Sequence, residues 1–249
     1  MTSKLAIALI AISVFDLSAR GVSAASITPI NLDDLTLGAT ITGPVGPTVD
    51  ASLINGDGNS LGDLTSSVSC PVGFLTCVPP QNPAGTIYTY IHKVTPGVDF
   101  PNDPPFPQPD GLLAFDDVNQ FELEFKAEGF TGVAGYSFGE AKQALGSSGE
   151  FSIKLDEDGS LVWSVVGGSD WSTNSDTPET ISFFWQTTQP PIGPFGTFTA
   201  KNDTQSGTGN GPLPLAVPVP EPMSSQGLLA LGFLGLGLVV KRSIGSSLF

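Results

Sequence analysis

One serine of this chain lies in a pentapeptide that is typical of a nucleophile. The run Gly135-Tyr136-Ser137-Phe138-Gly139 matches the Gly-x-Ser-x-Gly turn that exposes a reactive serine between a strand and a helix. In hydrolases of that type the histidine base follows the serine, whereas the single histidine here, His92, precedes it. We therefore predict that Ser137 lies in a glycine-rich strand or bend and that His92 is a surface or edge residue. A secreted hydrolase stays as the least favoured hypothesis.

Side chains that carry oxygen atoms alternate along residues 55–63, as they do in calcium-binding loops. The candidate ligands are Asn55, Asp57, Asn59 and Asp63. The glutamate that closes an EF-hand loop at its twelfth position is missing, so a polar loop tip is the alternative interpretation. We predict no cofactor, with Ca²⁺ at this segment as the one alternative.

Carboxylates and tryptophans could together serve carbohydrate chemistry. Glu122 and Glu124 could be the two acids of a glycosidase, but alternation along a strand also places them on its solvated face. Trp171 follows an aspartate in a polar segment, so we predict that it is exposed and could stack on a sugar ring. Trp163 and Trp185 are expected in the core, because their strands have apolar neighbours.

The elements that would position these residues are short strands joined by turns. Apolar and polar residues alternate in 120–126, and the run 156–160 turns the chain between two strands with Gly159 at a position that needs positive φ. Because only 141–145 suggests a helical turn, we predict an all-β body at 25–200, an antiparallel β-sandwich with the jelly-roll type as one option. Residues 201–217, rich in Gly, Ser and Pro, are predicted to be a linker. The predicted strands are 86–92, 120–126, 151–155, 161–166, 180–187 and 197–200, with weaker candidates at 36–42, 49–54 and 132–138.

The chain contains two cysteines, Cys70 and Cys77. In an oxidising compartment two cysteines this close in sequence most simply form a disulfide that closes the loop 71–76. A cysteine nucleophile or metal site is less favoured, since one histidine is available to assist it.

Residues 1–24 have the pattern of a secretory signal peptide. Lys4 precedes the apolar run 5–15, and Val22-Ser23-Ala24 is a small-residue cleavage site. The apolar run is too short to cross a bilayer. We therefore predict cleavage after Ala24 and export of the rest of the chain.

The C-terminal segment 218–249 combines a stiff motif, an apolar run and two basic residues. Its motif is Val219-Pro220-Glu221-Pro222, in which the prolines prevent helix and central strand. The uncharged residues 223–240 would span about 27 Å as a helix, just enough for the hydrocarbon core of a membrane. Lys241 and Arg242 would then stop transfer on the cytoplasmic side.

This order of motif, glycine-bearing apolar helix and basic pair resembles the PEP-CTERM sorting domain of bacterial envelope proteins. The resemblance covers about the last 30 residues and leaves the body unassigned. It implies that an exosortase, a membrane-embedded cysteine transpeptidase, recognises Pro220-Glu221-Pro222 and removes the tail. It also implies an inner-membrane intermediate, a final place at the cell surface or outside the cell, and an association with exopolysaccharide or biofilm material.

The charge of the chain excludes one class of partner. Its 24 acidic residues outnumber its 9 basic residues, for a net charge of −15. Binding of nucleic acid requires several neutralised phosphates and is therefore not expected. We predict a non-enzymatic exported protein whose partners are the secretion machinery, the exosortase, the membrane before processing and a polysaccharide. The competing hypothesis is a secreted module that binds glycan or calcium.

Overall fold

The structure is a computed structural model that describes residues 24–41, 49–79, 81–100, 105–106, 108–168, 171 and 179–216. The chain divides into two compact units, Met1–Leu215 and Ala216–Phe249. The predicted signal peptide up to residue 23 lies outside the described residues, as do Val219, Pro220, Glu221, Pro222, Lys241 and Arg242. Within the described ranges, no helix is long and apolar enough to cross a membrane.

The described residues of the first unit are mainly strands, which confirms the predicted all-β class. One α-helix, α1, spans Phe138–Leu145, and a 3-10 helix spans Leu32–Asp34. The strands are β1 Ala25–Ile27, β2 Ile30–Asn31, β3 Leu37–Thr40, β4 Val49–Ile54, β5 Ser60–Pro71, β6 Tyr88–Pro96, β7 Gln120–Leu123, β8 Phe130–Tyr136, β9 Glu150–Leu155, β10 Leu161–Gly167, β11 Ile181–Thr187, β12 Pro191–Lys201 and β13 Ser206–Pro214.

All of these strands belong to one 13-stranded hydrogen-bonded sheet, in the order β1-β9-β10-β7-β12-β13-β4-β5-β6-β11-β8-β2, with β3 on β5. Named strand pairs are antiparallel except β2 with β8, which is parallel. The first two described strands, β1 and β2, therefore lie at opposite ends of the strand order. Residues 25–31 link these two ends.

The sheet curls around a single aromatic core. Three strands separate β6 from β12 in the strand order, yet the rings of His92 on β6 and Phe198 on β12 have centroids 4.3 Å apart. Phe121 on β7 stacks on Phe183 of β11 at 4.8 Å, which is a second contact between distant strands. Such contacts require that distant parts of the sheet face each other across buried side chains.

The predicted turn at 156–160 is confirmed. The amide of Asp156 donates to the carbonyl of Ser160 at 2.9 Å, and Gly159 has a φ of 87°. The weaker strand candidate 132–138 is also a strand in its first part, since β8 continues to Tyr136. The predicted helical turn at 141–145 is the second half of α1.

The linker predicted at Lys201–Val217 is wrong over most of its length, because Ser206–Pro214 forms β13. This strand pairs with β12 and meets β4 at Thr208 and Ile54, so the folded body extends beyond residue 200. Its inward positions are glycines in place of apolar residues. A Cβ at Gly207 would lie 3.1 Å from Leu53 Cβ, and a Cβ at Gly209 would lie 3.2 Å from Leu64 Cδ2. Glycine allows this strand to approach its neighbours closely, and the same glycines made it look like a flexible linker.

Candidate functional site

The two cysteines form the predicted disulfide at the end of β5. Cys70 Sγ and Cys77 Sγ are 2.01 Å apart, and both residues are buried. The side-chain amide of Asn82 donates to Cys70 Sγ at 3.2 Å and to the hydroxyl of Tyr88 at 3.2 Å. The bond therefore joins the end of β5 to the segment that leads into β6.

Ser137 lies between β8 and α1, which is the strand-to-helix position that its motif predicts. Its backbone is extended, with φ of −73°, and its Oγ accepts a hydrogen bond from the amide of Glu140 at 3.2 Å. The hydroxyl donates to the carboxylate of Asp33 at 3.1 Å. Ser137 is thus the N-cap of α1, a role that the amino-acid type serves without any reaction.

Side-chain hydrogen bonds of Asn31 and Glu140 connect the first turn of α1 to its neighbours. Asn31 Oδ1 accepts from the amide of Phe138 at 3.0 Å, and Glu140 Oε2 accepts from the amide of Ser182 at 2.7 Å. Carboxylates at a helix N-terminus are stabilised by the helix dipole. The glycine of the motif also has a structural role, since a Cβ on Gly135 would collide with the carbonyl of Ile30 on the parallel strand β2.

His92 is fully buried in the centre of the body, so the prediction of a surface or edge position is wrong. Its strand continues to Pro96, which places it inside β6 between β5 and β11. Trp185 Nε1 donates to His92 Nε2 at 3.2 Å, and Ser66 Oγ lies 3.0 Å from His92 Nδ1. Because an indole N–H can only donate, Nε2 is the acceptor and Nδ1 carries the proton of the neutral ring.

Burial without a nearby charge lowers the pKa of His92 from 6.5 to about 3. The rings of Phe198 and Phe121 lie against the imidazole at 4.3 and 5.9 Å. The imidazole is therefore neutral at physiological pH, with both nitrogens hydrogen-bonded. The side chain fills the core and satisfies Trp185, which stacks on Tyr90 at 4.7 Å.

The structure does not bring Ser137 and His92 together in a catalytic pair. Ser137 Oγ is bonded to Asp33 and Glu140, whereas the two nitrogens of His92 are bonded to Ser66 and Trp185. Ser66 is itself buried, so the one serine beside the imidazole is closed to solvent. Neither serine has an accessible histidine to act as its base.

The candidate calcium segment is the tip of the β4–β5 hairpin. Asn55 Oδ1 accepts hydrogen bonds from the amides of Asp57 at 3.0 Å and Asn59 at 2.9 Å, so its oxygen stabilises the turn. Asp63 lies within β5, is 2% exposed, and its Oδ2 accepts from the amide of Phe100 at 2.7 Å. No group of three or more His, Cys, Asp or Glu that could hold a metal occurs in the described part of the chain. These contacts give Asn55 a structural role in the hairpin and Asp63 one in holding the loop that follows β6.

Trp171 is fully buried, so the prediction that it is exposed is wrong. Its indole N–H donates to the carbonyl of Glu179 at 2.9 Å, and its ring packs edge-on against Phe151 at 6.2 Å and tilted against Phe183 at 5.9 Å. The large apolar area of tryptophan favours burial wherever its one donor finds an acceptor. The residue that supported a glycan site is therefore a core residue.

Glu122 is held in an ion pair on the outer face of β7. Lys201 Nζ lies 2.8 Å from Glu122 Oε1, and the side chain of Gln120 donates to Glu122 Oε2. Glu124, the other proposed glycosidase acid, is exposed. The arrangement is that of a solvated strand face, as the alternation in sequence allows.

Two clefts flank β1 and were not indicated by any sequence motif. One has a volume of about 610 Å³ and is bordered by Tyr136, Lys142 and Glu150. The other, of about 710 Å³, is bordered by Phe130, Thr131 and Leu155.

Comparison with known proteins gives no relative for this chain. No protein-family model, curated protein or solved structure matches it. Any function assigned to the body must therefore come from its own residues.

Proposed function

We propose that this is an exported, non-enzymatic bacterial envelope or extracellular-matrix protein that an exosortase sorts through the C-terminal tail. This proposal rests on the positions of the first and last described strands relative to the two predicted processing segments. The first strand in the described part of the chain starts at Ala25, directly after the predicted cleavage site, and the last ends at Pro214, shortly before the motif at Val219. All the described strands of the body therefore lie between the two predicted processing segments.

The chemistry of the body supports an oxidising compartment outside the cytoplasm. Its two cysteines are joined in a buried disulfide, a bond that persists in exported proteins and is rare in the cytosol. The strong negative charge of the chain favours solubility and disfavours nucleic acid.

A non-enzymatic role is supported by the positions of the residues that could have reacted. Ser137 is the cap of α1, and His92 is enclosed and neutral. We further propose that the curled sheet is the predicted β-sandwich, since His92 and Phe198 meet across the core from strands that are distant in the sheet. Association with exopolysaccharide or biofilm material stays a proposal that follows from the tail alone.

Processing of the tail can be tested in a bacterium that encodes an exosortase and in the same strain without that gene. The full chain is expressed in both, and the intact mass of the product is measured. We expect a product that begins at Ala25 and lacks Lys241 and Arg242 in the first strain, and one that retains the tail in the second. Phe249 at the terminus in both strains would contradict the proposal.

Two matched variants separate recognition from folding. Glu221→Ala changes the motif, whereas Glu179→Ala changes an acidic residue of the body. We expect tail removal to be lost in the first and kept in the second. The state of Cys70 and Cys77, measured by alkylation before and after reduction, reports export independently of the tail.

A further inference from the structure

One end of the β12–β13 hairpin exposes apolar side chains beside the point where the chain leaves the body. We define the exit patch as Ile192, Phe195, Leu213 and Leu215. Ile192, Phe195 and Leu215 are exposed by 37%, 72% and 44%. Thirty-three residues, 217–249, follow the last described residue, Ala216.

The register of the hairpin places three of these side chains on one face. Ile192 lies opposite Leu213, and the amide of Leu215 donates to the carbonyl of Pro190 at 2.9 Å. Cross-strand partners and residues two apart on a strand point to the same face. Phe195 belongs to the adjoining bulge of β12, where its ring lies over Gly193. The patch is therefore a compact apolar surface.

The exit patch also lacks charge, in contrast to the rest of this acidic chain. Neither 187–200 nor 206–216 contains an acidic or basic residue, although the whole chain has 24 acidic and 9 basic residues. Among the described residues, the acidic residues whose backbone pairs or hydrogen-bonds with these segments are Glu122, at Thr199, Glu124, at Thr197, and Glu128, at Thr187. Glu122 is neutralised by Lys201, whose Nζ lies 2.8 Å from its carboxylate. Glu128 is neutralised by Lys126, whose Nζ lies 2.9 Å from its carboxylate. An acidic surface would be repelled by anionic lipid, whereas this surface would not.

We propose that the exit patch rests on the surface of a lipid bilayer while the unprocessed tail anchors the protein there. This inference rests on the proposed function, because the bilayer reaches the patch through the tail. Residues 217–222 can extend about 20 Å, so an inserted helix at 223–240 keeps the end of the body close to the headgroups. Exposed Phe, Ile and Leu side chains partition into the interface between headgroups and acyl chains. The contact holds the Pro-Glu-Pro motif at the membrane surface, where a membrane-embedded enzyme would act on it.

The contact can be tested with the full chain reconstituted into vesicles of phosphatidylethanolamine and phosphatidylglycerol. The native disulfide leaves no free cysteine among the described residues, so one introduced cysteine can carry an environment-sensitive fluorophore. The reporters are Phe195→Cys and Leu215→Cys, the second of which keeps the aromatic ring of the patch. The control is Val166→Cys, since Val166 is 60% exposed. The register of β10, β7 and β12 places residue 166 toward the Lys201 end of β12, away from Phe195.

Vesicles with brominated acyl chains should lower the fluorescence at positions 195 and 215 at least about twofold relative to position 166. Equal fluorescence at all three positions in protein that floats with the vesicles would overturn the inference and leave the anchor intact. Protein that does not float would overturn the membrane anchor, and the exit-patch contact with it. Shielding of position 195 that rises with protein concentration in the absence of lipid would identify a second copy as the occupant and also overturn the inference.

Discussion

Two serines of this protein lie beside groups that resemble a catalytic apparatus, and the surroundings of each give it a different role. The central cluster, Ser66, His92 and Trp185, joins β5, β6 and β11 and is fully buried. The peripheral cluster, Ser137 with Asp33 and Glu140, joins the 3-10 helix to α1 at a partly solvated position. The first cluster contains an imidazole without carboxylates, and the second contains carboxylates without an imidazole.

The difference shows how burial selects the chemistry of a polar cluster. An ion in the centre of the core would lose its hydration without a counter-charge, so the imidazole is kept neutral and each nitrogen has one partner. At the helix N-terminus, solvent and backbone N–H groups stabilise the negative charges. We therefore expect the central cluster to control the stability of the body and the peripheral cluster to contribute modestly.

The largest effect is expected for His92→Leu. The substitution leaves the indole N–H of Trp185 and the hydroxyl of Ser66 without their shared partner in the core. Because each unsatisfied buried group costs about 1–3 kcal/mol, the free energy of unfolding should fall by about 4 kcal/mol. Unfolding in urea, followed by tryptophan fluorescence, measures it. Ser66→Ala, which removes one partner of the imidazole, should lower the free energy of unfolding by about half as much. A loss below about 1 kcal/mol for His92→Leu would show that the cluster does not stabilise the fold.

The central cluster should also make the body sensitive to mild acid. The pKa of His92 is about 3 in the folded protein and 6.5 in a solvated histidine, so between these values the unfolded chain binds a proton that the folded chain does not. The contribution of His92 to stability should therefore be constant well above pH 6.5 and fall as the pH decreases through this value. At about pH 5 the loss should be about 2 kcal/mol.

Urea titrations between about pH 5 and pH 7 measure this dependence, and His92→Leu is its control. Carboxylates with lowered pKa values, such as Asp158, lose their contribution at more acidic pH, so this window isolates the histidine. The variant should be less stable than the parent at every pH, but its free energy of unfolding should change less between about pH 5 and pH 7. The same slope in both proteins would assign the acid sensitivity to other groups.

The sequence predicted the elements that alternation or a special turn determines. The strands around Phe121 and Phe151 and the turn at Gly159 are in place, and the disulfide is formed. Alternation works there because one face of each strand is covered by the core. The position of His92 could not be predicted in the same way. The side chain that satisfies its buried Nε2, Trp185, comes from a strand far along the chain.

Two further errors have a common cause, which is that tertiary packing gives polar or small residues an inward role. Glycines at 207 and 209 occupy the inward positions of β13, where Leu53 and Leu64 already fill the core. Trp171 follows a polar residue, but the carbonyl of Glu179 satisfies its indole and Phe183 covers its ring. Local polarity predicted a linker and an exposed ring. Both predictions were wrong because the residues that bury these positions are distant in sequence or belong to the tertiary fold.

The smallest effect is expected at the peripheral cluster. Ser137→Ala removes the N-cap of α1 and the hydroxyl that holds Asp33, so the free energy of unfolding should fall by about 1 kcal/mol. Ser137→Thr keeps a capping oxygen and should recover most of this loss. Because Ser137 contacts no histidine, the fall should be the same at about pH 5 and pH 7, unlike the effect of His92. Urea unfolding of the three proteins at both pH values tests this, and a loss for Ser137→Ala as large as that for His92→Leu would remove the distinction between the central and the peripheral cluster.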